Sequence, residues 1–234
     1  MTKENILFIV IGLLGGFIVG FFFANSVNQG AILSATPATT QAAAGALPAG
    51  HPAVNGGGSS GGAIPEVQAA IEKANQNPDD FDAQIKAAEL YYQIQRFEGS
   101  IEFLKRASEL QPDNPEVMVN LGNAYFDSSK YEEAEKAYSK ALTKKPDDLN
   151  VRTDMGLTFV FRDNPDYDRA IKEFNQVLDA DPAHVQALQN LTVAYTKKSD
   201  KANANATVAR LEKVDAGNDA LTKLKEEIQK ISGK

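Results

Sequence analysis

Residues 115–148 read PEVMVNLGNAYFDSSKYEEAEKAYSKALTKKPDD. Within them Leu121, Gly122, Tyr125, Ala134, Tyr138 and Ala141 form a skeleton of apolar and small residues, closed by Pro146. Proline cannot continue a helix's hydrogen-bond ladder, so it marks a stop. Working outward, prolines at 78, 112, 146 and 182 stand 34, 34 and 36 residues apart. The skeleton returns with them. The unit before carries Ala87, Ala88, Tyr91, Ser100, Leu104, Ala107 and Pro112; the unit after carries Met155, Gly156, Phe159, Ala170, Phe174, Val177 and Pro182. A fourth copy is degenerate, with Leu191, Thr192, Tyr195, Ala204, Val208 and Leu211, and Gly217 near the place of the proline. A fixed period in this range is the signature of a repeat architecture.

These residues and spacings resemble the tetratricopeptide repeat family, over about residues 78–217. The expected fold is all-α: a right-handed solenoid of antiparallel helix pairs. Repeats are expected at about 81–114, 115–148, 149–184 and, degenerate, 185–218, with a capping helix at 219–232. Gly122 and Ala134 let the two helices of a unit approach, Gly156 and Ala170 do the same in the next, and Tyr125, Tyr138 and Phe174 fill the space between. No unit can bury its apolar face alone, so neighbours stack. Two departures stand out. The family's Trp is absent, with Gln84, Met118, Arg152 and Leu188 in its place, and two extra residues around 162–167 should lengthen the turn inside the third unit. Phe97, Tyr131 and Tyr167 precede the small residue by three positions and should pack at the turn.

Flanking helices complete the stack. Pro65-Glu66-Val67 opens one that runs to about Gln76, with Glu in the first turn as the helix dipole favours. At the far end Leu221, Leu224, Ile228 and Ile231 make one apolar stripe on an otherwise charged helix, as a solvated end repeat requires.

The N-terminal part is different in kind. Residues 5–65 contain no Asp, Glu, Lys or Arg, and residues 6–24 are almost purely apolar. Those 19 residues make a helix of roughly 28 Å, close to the hydrocarbon thickness of a bilayer. Residues 1–28 are therefore expected to be a transmembrane anchor, residues 29–63 a disordered linker rich in Ala, Gly, Pro and Ser, and residues 64–234 the repeat domain. Lys3 precedes the span and no basic residue follows it until Lys73. The positive-inside rule then leaves the N-terminus inside the cytoplasmic membrane and the repeats outside, in the periplasm of a Gram-negative cell. Cleavage after Ser26 as a signal peptide is the competing reading. Gly12, Gly16, Gly20 and Ala24 share one helix face. Such a small-residue face allows close approach of a second copy and self-association as a homodimer.

The net charge of −7 lies in the repeat part and argues against nucleic acid. There is no cysteine, which excludes disulfides, zinc–thiolate and iron–sulfur sites. Of the two histidines, His51 lies in the linker and His184 at a helix start, neither with a catalytic companion. No phosphate loop, paired-His motif or serine elbow is present, so no metal, cofactor or enzymatic activity is expected. The acidic pairs Asp79-Asp80, Glu132-Glu133 and Asp147-Asp148 read as helix-start residues.

The family resemblance implies a protein-interaction scaffold that holds a peptide or helix along the face of each unit's first helix. Here that face is expected to carry Tyr92, Asn120, Asn123, Phe126, Leu157, Phe161, Val193 and Thr196. The Lys and Arg with which some members clamp a C-terminal carboxylate are missing; Glu89, Asn123, Thr153 and Asp154 stand there. The alternative is a periplasmic assembly factor similar to the anchored repeat subunits of cytochrome c maturation.

Overall fold

The computed structural model describes residues 63–231. Among these residues there are ten α-helices and no strand. They are α1 (Ala63–Gln76), α2 (Phe81–Gln93), α3 (Phe97–Leu110), α4 (Pro115–Asp127) and α5 (Tyr131–Lys144), then α6 (Leu149–Phe161), α7 (Tyr167–Ala180), α8 (Val185–Lys197), α9 (Lys201–Val214) and α10 (Leu221–Gln229). The anchor, nearly all of the linker and the Gly12–Ala24 stripe lie outside the described residues. No described helix is long and apolar enough to cross a membrane.

Each first helix of a repeat starts on a side-chain cap. Asp80 Oδ1 accepts from the Ala83 amide at 3.0 Å, Asn114 Oδ1 from Glu116 at 3.0 Å and Asp148 Oδ1 from Val151 at 3.1 Å. In the fourth repeat His184 takes this place, its Nδ1 accepting from Ala187 at 3.2 Å. These groups satisfy amides that would otherwise be orphaned at the helix start.

The turns inside the first, second and fourth repeats share one device. Gln95, Ser129 and Ser199 sit in the left-handed region at φ 59°, 61° and 64°. The next amide then reaches back, Lys130 N to Tyr125 O at 2.8 Å and Arg96 N to Tyr91 O at 2.8 Å, closing the helix end. The third repeat departs, as its extra residues predict: five residues, 162–166, separate α6 from α7, and the Asp166 amide donates to Phe159 O at 2.8 Å.

Small residues set the distance between paired helices. A Cβ added to Gly122 would lie 2.4 Å from Cε1 of Tyr138; one added to Gly156 would lie 2.5 Å from Cε1 of Phe174. Ala134, Tyr138, Ala170 and Phe174 are fully buried, so no side chain can swing aside. Each second helix also packs on the first helix of the next repeat, giving one continuous core from Ala74 to Ile228.

At the positions of the missing Trp the seam is filled in four ways. Gln84 is fully buried and its Nε2 donates to the carbonyls of Ala74 at 2.8 Å and Asn77 at 3.1 Å, tying α1 to α2. Met118 and Leu188 are apolar fillers. Arg152 spreads over Glu173 (2.9 Å), Gln176 (2.8 Å) and the Pro146 carbonyl (3.0 Å).

Polar ties link each repeat to its neighbour: Lys130 to Glu98 at 2.7 Å, Arg169 to Glu135 at 2.8 Å, and Lys198 to Asp168. The ends differ slightly from the sequence expectation. Helix α1 opens two residues before Pro65, and the cap α10 is shorter than 219–232. Its Leu221, Leu224 and Ile228 are buried against α8 and α9.

Candidate functional site

The face built by the first helices α2, α4, α6 and α8 is the candidate site, and burial sorts its eight expected residues. Asn120, Phe126, Val193 and Thr196 are partly accessible, and Phe161 is 38 % exposed. Tyr92, Asn123 and Leu157 are buried, at 9 %, 1 % and 8 %. Asn123 turns inward because its Oδ1 accepts from the Tyr138 hydroxyl at 2.8 Å, inside the helix pair. Tyr92 lies between repeats, and its hydroxyl donates to the Asp127 carboxylate of the next first helix. Burial and the Asp127 charge together raise the Tyr92 pKa well above the usual phenolic range.

What reaches solvent is an aromatic rim where the first helices end. Phe126 meets Tyr131 edge to face at 5.3 Å and Phe161 at 6.1 Å; Tyr131 and Phe161 lie 6.3 Å apart. The Lys197 ammonium stands 5.9 Å from the Phe161 ring centroid. Phe126 and Phe161 are 35 residues apart, so the stacking of repeats, and not either helix alone, assembles the rim. Thr196 and Val193 continue this face onto α8.

Below the rim the seam becomes polar. Helix α6 is buried over nearly its whole circumference from Thr153 to Val160. Its Thr153 hydroxyl is spent on the Leu149 carbonyl at 2.8 Å. Asp154 is fully buried, and neither carboxylate oxygen has a hydrogen-bond partner. Desolvation, reinforced by the charges of Asp148 and Asp127, holds its carboxyl well above the usual carboxylate range. The Tyr138 hydroxyl is likewise pushed up, mainly by burial. Residues at the positions of a carboxylate clamp are thus acidic, buried or both, and cannot receive an anion. Among the described residues, no three metal-ligating side chains gather.

Family models agree with this architecture. The model described as TPR repeat matches residues 88–129, and two described as tetratricopeptide repeat match residues 115–148 and 160–220. The chain carries tetratricopeptide repeats. Solved structures share the fold of this tetratricopeptide domain at low identity. A crystal structure of MamA is 20 % identical, covering 70 % of this chain and 89 % of that one, with a TM-score of 0.55. MamA from Desulfovibrio magneticus RS-1, residues 41 to the end, is 14 % identical over 68 % of this chain and 89 % of its own, with a TM-score of 0.60. A tetratricopeptide repeat protein from Parabacteroides merdae is 15 % identical over 70 % of this chain and 64 % of its own, with a TM-score of 0.61. No curated protein matches the sequence. At these identities the likeness is one of fold.

The sequence reading missed Lys197, Asp127 and the contribution of Tyr131 to the rim. The signal was available in part: each lies one or a few residues beyond the apolar skeleton, at the turn that joins the two helices of a repeat.

Proposed function

We propose that this protein is a membrane-anchored interaction scaffold, without catalytic activity, that holds a peptide or helix of another protein against its first-helix face. The rim of Phe126, Tyr131 and Phe161 carries the reading. A solvent-exposed Phe packed edge to face on one ring and tilted against a second, on separate helices, is a rigid apolar anchor, the kind of group that dominates protein interfaces. Tetratricopeptide domains generally bind proteins, which agrees with this use.

The apolar span of residues 6–24 holds the domain at the cytoplasmic membrane, N-terminus inside and repeats on the outer side. Gly12, Gly16, Gly20 and Ala24 supply a face on which two such spans associate.

Crosslinking and copurification of the full-length protein from membranes tests the scaffold reading. Partners recovered with the wild type should be lost with the Phe126→Ala/Phe161→Ala double variant. Equal recovery of every partner overturns the assignment of the face. An apocytochrome among the partners would narrow the scaffold to an assembly factor.

A further inference from the structure

A small cavity of about 100 Å³ opens on the same face at the junction of the first and second repeats. Helix α2 lines it with Glu89 and Tyr92, α3 with Ser100 and Leu104, and α4 with Asn120. It exceeds several-fold what one water needs, so it accepts the tip of a side chain.

Besides the Tyr92 phenol, its polar lining is one carboxylate, one hydroxyl and the carboxamides of Asn120 and Asn123, each able to accept a hydrogen bond. Ser100 is buried at 1 % exposure and its hydroxyl has no hydrogen-bond partner. A buried hydroxyl left unpaired is costly and calls for a partner from outside. Glu89 is exposed and, among the described residues, makes no ion pair; Asn120 makes no side-chain hydrogen bond there either. Lys86, three residues before Glu89 on α2, pairs with Glu66. No cation lines the cavity, and Asp127 adds negative charge through its bond with Tyr92. An anion is therefore repelled. A compact ammonium, which offers three donors and needs no acceptor, matches a carboxylate, a hydroxyl and a carboxamide oxygen. The Tyr92 ring and Leu104 supply apolar wall for a methylene stem.

We propose that this cavity is a specificity pocket for a lysine side chain of the bound peptide, with Glu89 as counter-charge and Ser100 and Asn120 as acceptors. The inference rests on the reading that a peptide lies along the first-helix face, and it adds the chemistry by which that peptide is chosen.

The test is panning of a random dodecamer peptide library on the full-length protein in lipid nanodiscs. Wild type should enrich lysine-bearing peptides. For a selected peptide, Glu89→Gln and Ser100→Ala should each weaken binding, the former roughly tenfold, as loss of one charge-assisted hydrogen bond implies. Both variants are expected to keep their helical circular dichroism, since Glu89 is exposed and Ala favours helix at Ser100. Peptides with no lysine preference, or with arginine selected as often, overturn the proposal. So does lysine selection that survives Glu89→Gln. If such peptides still need Phe126 and Phe161, the scaffold reading stands while the pocket falls. If binding depends on neither the rim nor the pocket, both fall.

Discussion

Arg162 Nη1, at the end of α6, donates to the Glu135 carboxylate of the preceding repeat at 3.4 Å. The same carboxylate takes Arg169 at 2.8 Å, and both guanidinium groups lie over the Phe159 ring, at 5.0 and 4.1 Å. The two inserted residues of the third repeat thus carry an arginine back across the repeat boundary. With Arg162 and Glu135 only 16 % and 23 % exposed, salt screens this pair less than a surface pair. Glu135→Ala should cost about 1–2 kcal/mol, the worth of charge-assisted bonds removed from a half-buried site. Urea denaturation at low and high salt checks it: the loss should persist at high salt.

Gly122→Ala sets two effects against each other. Alanine gains about 1 kcal/mol of helix propensity over glycine. Its Cβ would meet Tyr138 at 2.4 Å, and that ring is fully buried and held through its hydroxyl by Asn123. Overpacking of a ring that cannot move costs typically 1–3 kcal/mol, so the net change should be destabilising. Gly156→Ala against Phe174 should behave alike, whereas Gly99→Ala, whose Cβ would stand 2.9 Å from the half-buried Tyr91, should cost less. Thermal melts of the three variants give the order.

Ser129→Gly should stabilise the domain. A non-glycine residue in the left-handed region costs about 1 kcal/mol or more, partly offset by glycine's greater freedom when unfolded. A gain of roughly 0.5 kcal/mol per site is expected. Because Gln95 and Ser199 share the conformation, the triple glycine variant should raise the melting temperature by a few degrees.

One buried group, Asp154, and one half-buried group, His184, make opposite demands on pH. Asp154 has its folded pKa raised by burial. Both states are protonated in strong acid, so its penalty appears only as pH rises through the unfolded value and grows toward the folded one. Asp154→Asn should therefore be more stable than wild type at neutral pH and lose that advantage near pH ~4. His184 has its pKa lowered, chiefly by burial, and must stay neutral at Nδ1 to accept the Ala187 amide. Its contribution is whole above the ordinary value of 6.5 and shrinks as pH falls below it. A His184→Asn cap should flatten that part of the profile. Melting temperatures across the acid range, for both variants, check the signs.

The repeats were legible because spacing carries them. Ala134, Tyr138, Ala170 and Phe174 are wholly buried, as residues that recur every 34 to 36 positions between paired helices must be. The candidate face was legible only in part. Its period is that of each first helix, and the period alone does not tell a residue facing solvent from one facing the next repeat. Tyr92, Asn123 and Leu157 fall on the buried side of that division, and Phe161 on the open side. Helix α6 shows why: packed on its own partner, on the repeat before and on α8, it is buried on most sides and has lost the one-sided pattern that periodicity detects. The rim needed Phe126, Tyr131 and Phe161 from two repeats brought within 7 Å of each other, a distance that rotation between neighbouring units sets.

The ion pairs from Lys130, Arg169 and Lys198 each reach one repeat back and no further. Under load such a domain behaves as links in series. Tension between a fixed N-terminal point and a cargo on the rim would be borne joint by joint. It would peel the terminal link first and leave the rest intact, so extension would rise in discrete steps and not in one rupture.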